Sequence, residues 1–433
     1  MTTTFGHWQR TFFAAAAIAT LAGLSAQPLK AATVTVGTCI SGGIHFTTIQ
    51  AAVTGVPAGS TIRVCPGNYP EQVVINKNLT LKGVESDTAF NPTLVIPSGG
   101  FVANTTSLTS GAQLAAQILV ESPATDVDVN HLAVDGSGNN LNSGCSDARL
   151  IGIYYQNASG AVNYVAVRNQ AQNSANFGCA GSAGLGIFVQ SAGLSTPAGV
   201  TIKNSTFYGY QKNGITANET GTTVIVRGNS IIGAGPINIA QNGIQVGYGA
   251  TGIVQDNTVA DDLFNGNPAE GVGSGILILD SGDMSIRGNS VASTQYGIAV
   301  VTDGNQSDNN NSIINNQIVN TQIGDGIDLC SNGNTVMSNS VFSSSQAGIL
   351  LDGSCSSTST GNNNTISANV VNDACAGILL GSGTGNTFPV ANTYANVAFL
   401  TLAGDVCTPP AVPSVHANSL VASPRHVFSP VRP

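Results

Sequence analysis

Charge is scarce in this chain: only 8% of its 433 residues are Asp, Glu, Lys or Arg, where ordinary soluble domains carry about 25%. The 13 basic residues are outnumbered by 22 acidic ones, for a net charge of −9, and they form no block. Neutralising a phosphate backbone needs clustered Lys and Arg, so nucleic acid is excluded as an expected partner. Histidine (five) and methionine (three) are rare, no Cys-x-x-Cys occurs, and only His45 and His131 lie in the body of the chain. That argues against a zinc site and against a copper site built on Met and His, and the identity of any metal stays open. Beyond the N-terminus no apolar run approaches the ~18 residues of a membrane-spanning helix. The single tryptophan, Trp8, stands near the start.

What is present begins with an export signal. Arg10 closes a short polar stretch, and Thr11 to Leu24 form an alanine-rich apolar run followed by small residues. This reads as a signal peptide over 1–31, cleaved after Ala26 or Ala31, and implies a secreted, periplasmic or cell-surface protein. Export gives meaning to eight cysteines: Cys39, Cys65, Cys145, Cys179, Cys330, Cys355, Cys375 and Cys407. An even number in an oxidising compartment favours disulfides, although 105 pairings are possible. If neighbouring coils stack, the favoured pairs are Cys39–Cys65, Cys145–Cys179, Cys330–Cys355 and Cys375–Cys407.

The dominant pattern is a series of nine Gly-Ile dipeptides spaced 22 to 34 residues apart, from Gly152-Ile153 to Gly377-Ile378. A second mark lies between most of these: Asn, one more residue, then Ile or Val, as at Asn229, Asn257, Asn289, Asn316 and Asn339. Self-similarity at this period means a stacked solenoid. Each interval accommodates one strand beginning at Gly-Ile, two more short strands and their turns, and each coil must pair with the next. The expected fold is therefore all-β, a parallel β-helix. The Asn side chains sit at turns, where they can bond to equivalent residues above and below. Thr47–Val53 reads as a short helix capped by a threonine that covers the first coil. The expected organisation is a cap with the first coils over 33–113, repeats over 114–408 and a disordered proline-rich tail over 409–433. A monomer is expected.

Three segments carry a family resemblance: Thr48 to Val53, Ile62 to Glu71 and Lys77 to Gly83. Together they resemble the N-terminal cap of the pectin-lyase-like superfamily, and the later coils resemble its right-handed parallel β-helix repeats. The resemblance implies the fold with some specificity. It says little of activity, because that superfamily holds lyases, hydrolases, esterases, epimerases, tailspikes and adhesins. Gly67-Asn68-Tyr69-Pro70-Glu71 is similar to a methylesterase segment, but the later segments of that branch are missing, so Tyr69 and Glu71 are expected to shape the cap. Gly324-Asp325-Gly326-Ile327-Asp328 resembles the start of a polygalacturonase set, but no His follows until His416.

Counting from each Gly-Ile places two columns of charge. Asp280, Asp303 and Asp352 fall at the end of the same strand. Asp328 points outward between Ala299 and Leu350, and Asp325 takes the position that Tyr296 holds one coil earlier. Stacked carboxylates would repel, raise one another's pKa or hold calcium, and any of these suits acid–base work on a glycan. Asp also suits strand-ending turns on its own account. Arg227 and Arg287 occupy equivalent positions, with Arg168 and Lys203 nearby. They would grip uronate carboxylates or merely keep an exposed turn soluble. Asp135-Gly136-Ser137-Gly138-Asn139 has calcium-loop spacing but no closing Glu, so a plain turn is expected. Longer coils carry extra residues at 304–310 and 353–363, which could wall a groove over Asp328.

These readings lead to an exported β-helix expected to bind an extracellular polysaccharide, with cleavage as a lyase or hydrolase as the further expectation. Asp280, Asp303, Asp325, Asp328 and Asp352 are the expected acids, and Arg227, Arg287 and Tyr296 the substrate contacts. The rival is a non-catalytic surface or adhesive solenoid, suggested by the Ser/Thr/Asn-rich composition.

Overall fold

The computed structural model describes residues 30–84, 92–141, 147–172, 184–268, 271–302, 304, 308–353, 361–404 and 407. The expected signal peptide, the tail, Asp303, Cys145, Cys179 and Cys355 lie outside the described residues. The chain divides after Lys30, and the architecture below belongs to the unit that begins at Ala31.

Each coil is built from three short strands. One coil runs through Asn213–Asn218, Thr222–Arg227 and Ser230–Ile237, and the next through Asn242–Gly247, Thr251–Gln255 and Thr258–Phe264. Every strand pairs in parallel with its counterpart one coil on, which makes three long walls: the first carries Gly-Ile, and the second and third follow it. Among the described residues the one antiparallel pairing joins Thr105–Thr106 to Gln113–Leu114.

The Gly-Ile residues are in register as the spacing predicts. Ile153, Ile187, Ile215, Ile244, Ile276, Ile298, Ile327, Ile349 and Ile378 form one inward column, and each is at most 1% exposed. Alternation sends every second side chain inward, and full burial of one isoleucine contributes about 1.5–3 kcal/mol. The glycine has a packing reason. A Cβ at Gly214 would lie 2.5 Å from Ile231 Cγ2 and 2.8 Å from the Gly243 carbonyl oxygen, and one at Gly275 would lie 2.3 Å from Val291 Cγ1. A third-wall side chain thus fills the space beside each first-wall glycine, β-branched in most coils and aromatic at Gly186 (Phe207) and Gly377 (Tyr394). The two sequence marks, Gly-Ile and Asn-x-Ile/Val, are opposite sides of a single contact.

The recurring asparagines form a ladder at the turn between the second and third walls. Asn229, Asn257, Asn289, Asn316, Asn339 and Asn369 each pass a hydrogen bond from Nδ2 to the next Oδ1, at 2.9–3.0 Å, and the run ends on Asn392. The backbone N–H of Asn289 reaches Asn316 Oδ1 at 3.0 Å, and its Nδ2 also reaches the Val254 carbonyl at 2.9 Å. Buried amides with their donors and acceptors used in this way are stable where single polar groups would be costly.

At the start of the unit, α1 (Ile49–Gly55) buries Ile49, Ala52 and Val53, and Thr48 Oγ1 accepts from Ala51 N at 3.1 Å as its N-cap. The helix begins two residues later than the sequence suggests. Glu71 explains part of this: its two carboxylate oxygens accept from Ile49 N and Gln50 N, both at 2.8 Å. The Tyr69 hydroxyl donates to the Cys65 carbonyl at 2.8 Å. Both residues thus build the cap. Cys39–Cys65 and Cys375–Cys407 are disulfides as the stacking suggested, and Cys330 is also disulfide-bonded.

Candidate functional site

The outer face of the second wall carries a continuous row. Register places Thr35, Arg63, Lys82, Asn130, Asn163, Lys203, Arg227, Gln255 and Arg287 directly above one another. The rungs are about 4.8 Å apart. Five of the ten lysines and arginines among the described residues stand in this one row, so chance scatter is a poor account of it. Arg63, Lys203, Arg227 and Arg287 are exposed and Lys82 is partly so. Arg227 lies 3.5 Å from Asp256 across an open surface, and Arg287 bonds to Gln255 at 2.9 Å. Arg63 and Lys82 also line a pocket of about 300 Å³ with Gly83 and Val84. Two residues earlier on the same strands runs a mixed flanking column, in which Thr61, Thr80, Thr201 and Ser285 add hydroxyls between Asp128, Ala161, Ile225 and Ile253.

The sequence found only part of this row. Arg227 and Arg287 are aligned as expected, with Lys203 beside Arg227. Arg168 is not in the row: its register partners are Asp135 and Tyr208, and its Nε donates to Asp135 Oδ2 at 2.7 Å. Asp135 also accepts from Asn169 Nδ2 and Ser137 N, both at 2.9 Å, and these bonds outweigh its burial and hold its carboxyl below the usual range. Its loop is therefore a turn closed by an arginine. Among the described residues no three His, Cys, Asp or Glu side chains lie close enough together to hold a metal ion.

The acidic column differs from expectation in one physical respect. Asp328 is flanked by Ala299 and Leu350 as predicted. Yet Asp280, Asp328 and Asp352 are 0% exposed and Asp325 is 2% exposed, so the described residues form no open acidic surface there. Tyr296, expected as a substrate contact, is also buried, and a Cβ on Gly324 would fall 2.0 Å from its ring. The cause is a second apolar layer outside the first wall. Leu277, Leu279, Ala299 and Val301 point away from the inner core and pack with Tyr248, Val272, Tyr296 and Cys330. Asp325 Oδ1 accepts from Ala347 N at 2.8 Å, and Asp280 Oδ1 accepts from the Thr302 hydroxyl at 2.7 Å.

Asp308 escaped the sequence reading. It lies within one of the coil expansions, is 3% exposed, and its pKa is pushed up to about 7, first by burial and then by the charge of Asp280. A carboxyl that holds its proton near neutral pH beside an acidic partner is the chemical form of a general acid.

Two further polar groupings are enclosed. Lys212, Tyr210 and Asp262 are each at most 1% exposed; the Tyr210 hydroxyl donates to Asp262 Oδ1 at 2.5 Å, and Lys212 Nζ donates to the Ala240 carbonyl. On the outside of the first wall, residues 104–112 cross three coils. There Thr105 Oγ1 meets Gln156 Oε1 at 2.9 Å, Leu108 N meets Gln190 Oε1 at 3.0 Å and Thr109 Oγ1 meets Glu219 Oε1 at 2.9 Å.

Comparison with known proteins bears on the fold. The family model for the right-handed β-helix region matches residues 130–318 and 185–364, together more than half of the chain. Among solved structures, the A-module of mannuronan C-5 epimerase AlgE4 from Azotobacter vinelandii is 13% identical, with a TM-score of 0.51 over 82% of this chain and 92% of that one. A GH136 lacto-N-biosidase from Eubacterium ramulus is 10% identical, with a TM-score of 0.56 over 86% of this chain and 67% of that one. No curated protein sequence matches significantly.

Proposed function

Because the chain belongs to the right-handed β-helix family, we propose that it is a polysaccharide-binding solenoid of the exported compartment, and that its ligand is an acidic glycan lying along the second wall. The row from Arg63 to Arg287 carries this reading. Rungs recur at about 4.8 Å, so a polymer running along the axis meets a cation or an amide at every step. Arg pairs with carboxylates through two parallel N–H donors, and the flanking Thr and Ser residues supply partners for sugar hydroxyls. Disulfides support an oxidising location. The distant structural likenesses support the scaffold; the choice of ligand rests on the row.

Processing of that ligand is the finer part of the reading. Asp280, Asp308, Asp325, Asp328 and Asp352 are enclosed on the first wall, so they would act in a bond-breaking step only on a glycan that reaches that wall and opens the layer over them, and not on the segment bound along the basic row. Asp308, raised to about 7 by burial and by Asp280, would hold the proton. The described residues of this wall form no cluster that would hold calcium, so calcium enters as one arm of the test, where it would bridge carboxylates of the ligand itself. The test is titration calorimetry against polygalacturonate, alginate and neutral dextran, with and without calcium, followed by mass spectrometry of the incubated glycans. Binding of the acidic polymers alone supports the reading. Equal binding of dextran, or binding of none, overturns it, and new oligosaccharide products separate an enzyme from an adhesive solenoid.

A further inference from the structure

The segment that crosses the first wall has an unusual chemical rhythm. Thr105, Ser107 and Thr109 carry hydroxyls at every second residue, and each meets a different rung: Gln156 for Thr105 at 2.9 Å, Gln190 for Ser107 at 3.5 Å, and Glu219 for Thr109 at 2.9 Å. Gln156 and Gln190 are in register, and Glu219 follows Asn218, the next residue of that column. The segment therefore lies along the solenoid axis and offers about one hydroxyl per rung to a row of side-chain oxygens. Gln190 is fully enclosed; its Oε1 also accepts from the Tyr154 hydroxyl at 2.7 Å and from Leu108 N at 3.0 Å. The Tyr154 ring stacks on Phe188 with centroids 4.8 Å apart.

Such an arrangement is complementary to a sugar chain. An oligosaccharide presents hydroxyls along its edges and apolar C–H faces between them, and amide or carboxylate oxygens beside stacked rings are suited to both. The strap is also held in a way that lets it leave. Asn104 fixes one end to Ala116 through two bonds of 2.9 Å, and Thr105–Thr106 pair with Gln113–Leu114. Thr106, Thr109, Ser110 and Gly111 are exposed, and Leu108 is 37% exposed. Lifting the middle of the strap breaks its hydroxyl contacts and two backbone bonds, Leu108 N to Gln190 Oε1 at 3.0 Å and Gln156 Nε2 to the Thr106 carbonyl at 2.6 Å, and leaves the pairing of the wall strands in place.

We propose that Gln156, Gln190 and Glu219 form a subsite for glycan hydroxyls on the first wall, and that the strap Thr105–Thr109 fills it as an internal stand-in until a glycan displaces it. The exchange is one for one, each threonine or serine hydroxyl giving way to a sugar hydroxyl on the same acceptor. This site lies on a different wall from the basic row and recognises hydroxyls rather than carboxylates, so it does not depend on the ligand assigned to that row.

The test uses the full chain with cellohexaose and hexagalacturonate as probes. The triple substitution Thr105→Val, Ser107→Ala, Thr109→Val keeps the volume of the strap and removes its hydroxyls. Hydrogen exchange in residues 105–110 is expected to speed up about tenfold, and at least one hexasaccharide to bind about tenfold tighter than to the unaltered protein. Adding Gln190→Leu, or Gln156→Ala if that variant fails to fold, should erase the gain. Arg227→Ala with Arg287→Ala should leave the gain for cellohexaose untouched. A strap that loosens without any gain in binding overturns the proposal. So does a gain that survives loss of the acceptors, and so does a strap whose exchange is unchanged.

Discussion

Arg287 donates through Nη2 to Gln255 Oε1 at 2.9 Å, and Gln255 in turn stands in register with Arg227. One amide thus separates two exposed guanidinium groups and holds one of them over the wall, so the row is an organised surface rather than a set of free cations. Holding a flexible arginine in place before a ligand arrives lowers the entropy lost on binding.

Removing that pair is the most direct probe of the row. Arg227→Ala with Arg287→Ala is expected to weaken binding of an acidic glycan about tenfold, close to 1.4 kcal/mol. Thermal stability should scarcely move, because exposed ion pairs contribute about 0–1 kcal/mol. The remaining affinity should fall less steeply with salt than that of the unaltered protein, since fewer charges are left to screen. Calorimetry at two ionic strengths reads both effects.

The asparagine ladder should behave as a structural spine. In Asn289→Ala, the backbone and side-chain N–H groups of Asn257 lose their acceptor, and the Val254 carbonyl and Asn316 Oδ1 each lose a donor. Each buried polar group left without its partner costs about 1–3 kcal/mol. A loss of roughly 2–4 kcal/mol is expected from urea unfolding, with the change felt first in the neighbouring coils.

Lys212 gives a pH dependence on the alkaline side. Burial lowers its pKa from 10.5 to about 7, against a smaller opposing pull from Asp262. Between those values the unfolded chain binds more protons than the folded one. The contribution of Lys212 to stability therefore rises with pH across that window, by at most about 1.4 kcal/mol per unit. Lys212→Met should flatten stability between pH 7 and 10. Asp262, raised well above its ordinary value mainly by burial, acts in the opposite direction. Its contribution falls as pH climbs from about 4 toward its folded value. Asp262→Asn should remove that slope, and unfolding measured at intervals from pH 4 to 10 separates the two.

Asp308 yields a coupled pair of outcomes. Its carboxyl is raised to about 7, so the folded protein binds the extra proton and stability falls as pH rises from about 4 through 7. Asp308→Asn should raise the melting temperature above pH 7 and leave it nearly unchanged below pH 4. If the unaltered protein cleaves a glycan, the same variant should lose that turnover by a hundredfold or more, the usual scale for a general acid. The rate of the unaltered protein should decline above pH 7. Turnover in the variant at the original rate would remove Asp308 from the chemistry.

Much of the architecture was legible because one local rule repeats. Gly must precede Ile wherever the third wall brings Ile231, Val291 or their equivalents against it, so the dipeptide marks the register from Ile153 to Ile378. The ladder asparagines were legible for the same reason. The row of cations was half legible. Arg227 and Arg287 lie within the Gly-Ile coils, whereas Arg63 and Lys82 precede the first Gly-Ile and escape that ruler. Asp308 was missed because it lies among the extra residues 304–310, which break the count.

The enclosure of the acids had a sequence signal that carried the wrong meaning. Leu277 and Leu279 both occupy outward positions, and a strand apolar on both faces is one buried on both faces. Taking the outward face as the solvent face made Asp328 and Asp352 seem exposed. The strap left no signal at all, because Thr105, Ser107 and Thr109 look like any polar loop until the acceptors are in place.

The sequence by itself determined the coil, its period, its inward column and the cap, since each follows from contacts between residues a fixed distance apart in a repeating chain. Only the tertiary structure decided which outer surface faces water. That depends on what segments outside the repeat lie against, as the strap does against Gln156, Gln190 and Glu219, and long-range packing of an irregular loop leaves no period to read.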